Sequence, residues 1–190
     1  MRLVPVLASI VITAIVVGIG VLAHRPHAQP APTATPLATA LSSVDTTTLV
    51  VRRQPFCGDV STADAAAALG GPVHSATGYA AGQRAQLGSV NDVADEHGCR
   101  WVGGHGATAS AWVFAPPITP AWAQQLAADR PSGCREIEAP AYGRPTSTYS
   151  CDGAITMRGL FGDAWLSCRL DTHDVALAGR WCLAVARAAG

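Results

Sequence analysis

The sequence predicts an α+β fold: a single disulfide-stapled domain, built from an antiparallel sheet of hairpins and two or three helices, that follows an N-terminal membrane helix. Three observations support this. An uncharged apolar run lies near the N-terminus, all six cysteines follow residue 56, and β-prone runs around glycine-rich turns alternate with capped helices. We therefore divide the chain into a membrane segment (1–23), a linker (24–56) and a folded extracytoplasmic domain (57–190).

The membrane segment is the apolar run 3–23, whose 21 residues carry no charge. About 20 such residues cross a bilayer core. A cleavable signal peptide usually has a shorter apolar region, so a retained signal anchor is favoured. Cleavage before His24 stays open, because Val21-Leu22-Ala23 also fits a small-residue site. Either alternative exports the rest of the chain, as a single-pass membrane protein or, after cleavage, as a secreted one.

The linker begins with HRPHAQPAPTATPLATA, which is rich in Pro, Ala and Thr. Such a composition buries too little apolar surface to offset the entropy lost on folding, so we expect a semi-extended spacer. The β-prone run 46–53 is either the first strand of the domain or the end of this tether.

The cysteines predict three disulfides, because an even number of thiols in an exported domain oxidises and stays oxidised. They are Cys57, Cys99, Cys134, Cys151, Cys168 and Cys182. Zinc binding is disfavoured, since no two of them lie closer than 14 positions apart. We predict no metal site and no cofactor.

The first half of the domain shows two helix starts and one hairpin. Ser61 is the expected N-cap of a helix that stops at 70–72, and Thr119 that of a helix running to about Arg130. Trp122 and Leu126 are the expected buried face of this second helix. Between the helices, the runs 101–102 and 111–114 form a hairpin around the turn 103–106.

The second half predicts strands at 146–151, 154–160 and 164–170, followed by a helix that starts near residue 171 or 172. This helix places an apolar stripe on the core, formed by Val175, Ala178, Trp181, Cys182 and Val185. Cys134 and Cys151 bracket a local loop, and Cys168 lies on the strand before the Cys182 helix, so we expect these two bonds. The competing arrangement joins Cys151 to Cys168 and Cys134 to Cys182.

The stretch CGDVSTAD at 57–64, the alanine-rich helix with Gly70-Gly71 after it, and Gly98-Cys99-Arg100-Trp101 together carry a resemblance. They resemble the opening of a family of small secreted actinobacterial proteins of unknown function, many of them lipoproteins. The resemblance covers about 57–114 and implies a Cys57–Cys99 bond. The chain departs from that family, because it has no cysteine for lipid attachment before Cys57. The resemblance implies no catalytic residue, and the four later cysteines have no counterpart in it.

Composition excludes one class of partner. The formal net charge is zero and all 13 basic residues are arginine, which leaves no basic field for nucleic acid.

The richest polar cluster, residues 91–97, is either a set of cation ligands or a solvated loop, and its oxygen spacing matches no calcium loop. The sequence has no Gly-x-Ser-x-Gly elbow, and His173 is expected at the surface. The five tryptophans (Trp101, Trp112, Trp122, Trp165 and Trp181) either fill the core or line a ligand groove.

These observations favour a membrane-anchored cell-envelope protein that acts as a non-catalytic binding module. Its expected partners are the membrane, through residues 3–23, and an envelope protein, glycan or lipid. The alternative is an extracellular hydrolase of unrecognised type. That alternative requires His97 or His173 to meet a carboxylate or serine in a pocket.

Overall fold

A computed structural model describes residues 37–87 and 90–190. The predicted membrane segment and the first part of the predicted linker lie outside the described residues. The described part contains three α-helices, one seven-stranded antiparallel sheet and a separate two-stranded hairpin. The predicted α+β class with a sheet of hairpins is therefore confirmed.

The large sheet has the strand order β1-β4-β5-β9-β8-β7-β6, and every neighbouring pair is antiparallel. Its strands are β1 (Ser75–Tyr79), β4 (Glu96–Val102), β5 (Thr108–Phe114), β6 (Arg135–Glu136), β7 (Thr146–Cys151), β8 (Ala154–Phe161) and β9 (Ala164–Asp171). The separate hairpin pairs β2 (Arg84–Leu87) with β3 (Val90–Val93). The turn between β7 and β8 is Asp152-Gly153 with positive φ at both residues, as a tight hairpin requires.

The helices are α1 (Thr62–Ala68), α2 (Pro120–Ala128) and α3 (Val175–Ala188). The predicted caps are confirmed, because the hydroxyls of Ser61 and Thr119 accept backbone N–H groups in the first turns of α1 and α2. The last helix begins later than predicted. Asp174 caps it by accepting two backbone N–H groups, while residue 171 still belongs to β9.

Helices α1 and α3 lie on one face of the sheet and enclose the main core. Trp181 of α3 and Trp101 of β4 meet edge to face there, with ring centroids 5.1 Å apart. The predicted stripe of α3 is confirmed in its main part, since Ala178, Cys182 and their neighbours on that stripe are fully buried. This face supplies most of the buried apolar surface.

Three disulfides connect the elements, in the pairs that the sequence analysis favours. Cys57–Cys99 joins the segment before α1 to β4, and Cys134–Cys151 joins the segment before β6 to β7. Cys168–Cys182 joins β9 to α3 inside the main core. The alternative bond between Cys151 and Cys168 is not the one formed.

The later part of the predicted linker packs on the domain. Leu37, Leu41, Val51 and Phe56 are all buried in the main core, so the folded part begins about 20 residues earlier than expected. The composition of this segment does not reveal its packing, because the buried apolar residues are widely spaced among Ala, Thr and Pro. Gly179 of α3 makes room for Leu41, since a Cβ at that glycine would lie 3.2 Å from the leucine Cβ.

The β-prone run 46–53 forms neither a strand nor a free tether. Two short 3₁₀ turns occupy Leu41–Ser43 and Thr46–Thr48. The second turn forms because the Asp45 carboxylate accepts both the backbone N–H and the hydroxyl of Thr47. Further on, the Arg52 N–H donates to the Ala189 carbonyl at 2.7 Å, which ties this segment to the C-terminus.

The expected buried face of α2 is wrong in part. Ala123 is the buried residue, Leu126 is half-buried, and Trp122 is 40% exposed. The small Ala123 side chain lets the helix approach Leu160 and Trp165 closely, which leaves Trp122 at the margin. Helix α3 is the longest in the described part, with 14 residues, and no helix there reaches the length and apolarity needed to cross a membrane.

Candidate functional site

The second face of the large sheet, opposite α1 and α3, is here called the open face. Helix α2 covers it only at one end, where Ile118 and Ala123 pack on Leu160 and Trp165. Residues that pair directly in an antiparallel sheet project to the same side. The register therefore identifies which side chains share the rest of this face.

A groove crosses the open face and is here called the cleft. One part, of about 840 Å³, lies between strands β1, β4 and β5 and the β2 strand of the separate hairpin. A second part, of about 400 Å³, lies between β5, β8 and β9 and the segment around Ser132. Ser110 and Trp112 of β5 line both parts, so the two meet at the middle of the sheet.

The floor of the cleft carries a row of alternating hydroxyl and guanidinium groups, here called the polar row. Its members are Thr77, Arg100, Ser110, Arg169 and Thr156, each paired directly with the next across the sheet. They come from β1, β4, β5, β9 and β8, which are consecutive strands. Strands lie about 4.8 Å apart, so the row spans about 19 Å and its two arginines are based about 10 Å apart.

The arginines of the cleft differ in their partners. Arg169 is 3.5 Å from an oxygen of Asp171, whose other oxygen accepts the Thr108 hydroxyl at 2.6 Å. Across residues 37–87 and 90–190, neither Arg84 nor Arg100 forms an ion pair or a side-chain hydrogen bond. Both are exposed. The cleft therefore presents two guanidinium groups that have no carboxylate partner in the described part of the chain.

Tyr79 of β1 closes one end of the cleft. Its ring lies over Gly98 of β4, where a Cβ would be 2.2 Å from the ring, so only glycine fits beneath it. The Tyr79 hydroxyl donates to Glu96 at 3.0 Å. Burial and the neighbouring Glu96 charge raise the pKa of Tyr79, which keeps the phenol protonated as the donor. The carboxylate of Glu96 is thus engaged by a neutral group.

Three aromatic rings form a strip along one side of the cleft. Trp112 and Phe114 meet edge to face at 4.9 Å, and Phe114 stacks on Trp122 at 5.8 Å. Trp112 is half-buried and faces both parts of the groove. The two expectations for the tryptophans both hold in part: Trp101, Trp165 and Trp181 are buried in the core, whereas Trp112 lines a groove.

Arg158 supports the wall on the β7 side. It is only 7% exposed, and its guanidinium carbon lies 4.7 Å from the centroid of the Tyr149 ring. The same guanidinium donates to the Ser147 hydroxyl at 3.3 Å and to the backbone carbonyl of Asp129. Since Asp129 is the C-terminal cap of α2, Arg158 fixes both that helix end and the Tyr149 ring.

The polar cluster 91–97 is largely solvated, as one of the two alternatives predicted, but most of it is strand and not loop. Asn91 and Asp92 lie in β3, and Glu96 and His97 begin β4. His97 Nδ1 accepts the Ala81 N–H at 3.2 Å. Burial lowers the pKa of His97, and a hydrogen bond to the Arg53 backbone opposes this. In the part of the chain that the structure describes, no group of three His, Cys, Asp or Glu is arranged to hold a metal.

The residues considered for hydrolysis do not converge. His97 is held by backbone groups at the start of β4, and His173 is exposed beside the Gly153 turn. Within the described ranges, neither histidine forms a hydrogen bond with a serine or a carboxylate. The 103–106 segment is the β4–β5 turn, as predicted, and contains the 3₁₀ turn Gly104–Gly106.

The polar row has no motif in the sequence. Alternation within β5 offered one signal, because Ser110 and Trp112 alternate with buried Ala109, Ala111 and Val113. That pattern identifies the solvent-facing side of β5 but not the residues of other strands that lie beside it. Arg100, Ser110 and Arg169 lie side by side because β4, β5 and β9 pair in this register, and no local sequence pattern determines that pairing.

A third groove, of about 420 Å³, lies between the first described residues and α3. Charges of both signs line it, from Asp59, Asp64, Arg180 and Arg187. Its mixed charge and lack of aromatic side chains make it a weaker candidate than the cleft.

Comparison of the chain with protein families, with curated proteins and with solved structures finds no match.

Proposed function

We propose that this protein is a membrane-anchored, extracytoplasmic module that binds a ligand of the cell envelope in the cleft, without catalysing a reaction. The observation that carries the proposal is the cleft itself. It crosses the open face, has Trp112 at its middle, and is lined by Arg84 and Arg100, which have no carboxylate partner among the described residues. Concave sites with an aromatic surface and a few convergent polar groups are typical ligand sites.

Two features support the location. The three disulfides need an oxidising compartment to form and persist. The 21-residue apolar run is long enough to export and anchor the chain. Protease added outside spheroplasts of the producing cells should therefore remove the domain that begins near residue 37 and leave a membrane-bound stub. Protection of the cysteine-bearing domain from that protease would contradict an extracytoplasmic location.

The groups in the cleft support binding and not hydrolysis. The polar row offers hydroxyls and guanidiniums, which hold a ligand through hydrogen bonds and charge. A hydrolase would need a base within hydrogen-bond reach of a nucleophile. The histidines that could act as that base lie at the start of β4 and beside the Gly153 turn, apart from Ser110.

Site-specific photocrosslinking tests the cleft directly. A photoreactive amino acid replaces Gln83, which is exposed on the wall of the cleft, or Ala176, which is exposed on α3, and the full chain is produced in its own cells. We expect irradiation to attach one class of envelope molecule at position 83 and not at position 176. Equal labelling at both positions, or none at position 83, would contradict binding in the cleft.

A further inference from the structure

We propose that the ligand of the cleft is an extended acidic carbohydrate, whose carboxylate or phosphate groups bind Arg100 and Arg169 while one sugar ring lies on Trp112. This inference rests on the proposed function and specifies its ligand. It is drawn from four features of the cleft: its charge, the length of the polar row, the kind of hydrogen-bonding groups it offers, and the aromatic surface of Trp112.

The charge of the cleft favours an anion. Arg84 and Arg100 have no acidic partner within the described residues, and Arg169 shares Asp171 with the hydroxyl and N–H of Thr108. On the acidic side, Glu96 accepts the Tyr79 hydroxyl, and Asp152 lies at the far rim. A carboxylate or phosphate between Arg100 and Arg169 could pair with both guanidinium groups, with the Ser110 hydroxyl directly beneath it.

The length of the polar row favours an extended ligand. The row crosses five strands over about 19 Å, at right angles to the strand direction. A single small anion would contact one or two of its members. A chain with repeated acidic and hydroxyl groups can meet more of them, because hydroxyl and guanidinium positions alternate along the row.

The hydrogen-bonding groups favour a carbohydrate over a peptide. A peptide carries one N–H and one C=O for every residue, and these groups need regular partners when they are buried. The floor of the cleft is the middle of a sheet whose backbone groups already pair with each other, so it offers no free ladder. Sugar hydroxyls both donate and accept, as do those of Thr77, Ser110 and Thr156, and the three side chains can therefore pair with them.

Trp112 supplies the apolar part of the site. It is half-buried, lines both parts of the cleft, and projects next to Ser110 along β5. One face of a sugar ring consists of C–H groups, which pack on an aromatic surface as other apolar groups do. A ring seated on Trp112 places its acidic substituents within reach of the polar row, two residues along the strand.

The test measures binding of defined oligosaccharides to the full chain by isothermal titration. The probes are hexagalacturonate, which carries carboxylates, maltohexaose phosphorylated on its sugar rings, neutral maltohexaose, and hexaglutamate as an acidic peptide. We expect hexagalacturonate or the phosphorylated maltohexaose to bind at least about tenfold more tightly than neutral maltohexaose. The tighter of the two identifies carboxylate or phosphate as the natural acidic group.

Variants locate the binding. R100Q/R169Q should weaken binding of the acidic oligosaccharide at least about tenfold, and W112A should weaken both the acidic and the neutral probe. The matched control R52Q/R144Q removes the same charge from exposed positions outside the cleft and should bind as the parent does. Circular dichroism checks that every variant is folded.

Four results would overturn the inference: no acidic preference, no effect of R100Q/R169Q, an equal effect of the control, or binding of hexaglutamate as tight as that of the acidic sugar and insensitive to W112A. The photocrosslinking result separates this inference from the proposed function. Capture of an uncharged or non-carbohydrate molecule at position 83 would support the binding function and contradict only the acidic carbohydrate proposal.

Discussion

Replacing a disulfide by two alanines separates the effect of the covalent link from the effect of packing, and this chain offers a matched pair of bonds. Cys168–Cys182 closes a sequence separation of 14 and Cys134–Cys151 one of 17. Each bond restricts the unfolded chain to a similar degree, and should therefore add about 3 kcal/mol to the free energy of unfolding. They differ in burial, since both cysteines of the first bond are fully buried and both of the second are only half-buried.

The buried bond should cost more to remove. C168A/C182A deletes two sulfur atoms from the core between β9 and α3, and each methyl-sized void adds about 1 kcal/mol. We expect a total loss of about 5 kcal/mol for this variant. C134A/C151A leaves no comparable void, because solvent reaches that bond, and we expect a loss of about 3 kcal/mol.

The assay is urea unfolding of the oxidised full chain, followed by tryptophan fluorescence. Trp165 and Trp181 are fully buried, so their emission reports exposure of both sides of the sheet. A third variant, C168A/C182V, restores volume at the α3 position without restoring the bond. We expect it to recover about 1 kcal/mol relative to C168A/C182A.

Equal losses for the two alanine pairs would refute the packing contribution, and a larger loss for C134A/C151A would refute the whole argument. If C168A/C182A does not fold at all, C168A/C182V decides the matter. Its stability should then lie below that of C134A/C151A by about 1 kcal/mol, and a stability equal to or above that of C134A/C151A would count against the reasoning.

Three further predictions concern single positions. Burial lowers the pKa of His97 in the folded protein, so the unfolded chain binds a proton at this residue more readily. The free energy of unfolding should therefore fall as pH drops below about 6.5. H97Q should show a shallower fall between pH 7.5 and 5 in urea titrations. R158M removes two hydrogen bonds and the contact with the Tyr149 ring, and should lower the free energy of unfolding by about 2–4 kcal/mol. It should also speed amide hydrogen exchange in α2. Unchanged exchange there would contradict the role of Arg158 in anchoring this helix. A Cβ at Gly159 would lie 1.5 Å from the Tyr142 carbonyl oxygen, so G159A should lower the thermal midpoint sharply, whereas G71A, which meets open space, should leave it nearly unchanged.

The second half of the fold could be predicted closely because its signals are local. Strands β7, β8 and β9 were expected within one residue of their ends, since tight turns at Asp152-Gly153 and around Gly162 separate runs of β-prone residues. The buried stripe of α3 follows the helical period in the same way. Where a strand is buried and its turn is short, the sequence carries enough information to place it.

The missed strands are those that face solvent. Residues 75–79 (SATGY) form the edge strand β1, yet four of them are exposed and none is a large aliphatic residue. Strand β3 is exposed throughout. Strands of this kind show no alternation of apolar and polar residues, because neither face is covered. Their positions are set by pairing with β4 or with β2, which is information from elsewhere in the chain.

The cleft could be predicted only in outline. A groove lined by aromatic residues was one of two alternatives for the tryptophans, and Trp112 now lies in such a groove. The polar row could not be found from the sequence, since Arg100 and Arg169 come from strands in different halves of the chain and only the register aligns them. A site assembled across strands is invisible to any search for spaced motifs.

The central pairing of β5 with β9 has a consequence for how the chain reaches its final form. Strands β4 and β5 come early in the chain and strands β7 to β9 come late, yet the two groups share one continuous sheet. The chain is synthesised from its N-terminus, so the inner edge of β5 emerges long before its partner strand and stays without hydrogen bonds until then. Contacts between distant parts of a chain form slowly. During that interval the free edge of β5 can pair with a second molecule, and a high local concentration of chains would favour such mispairing.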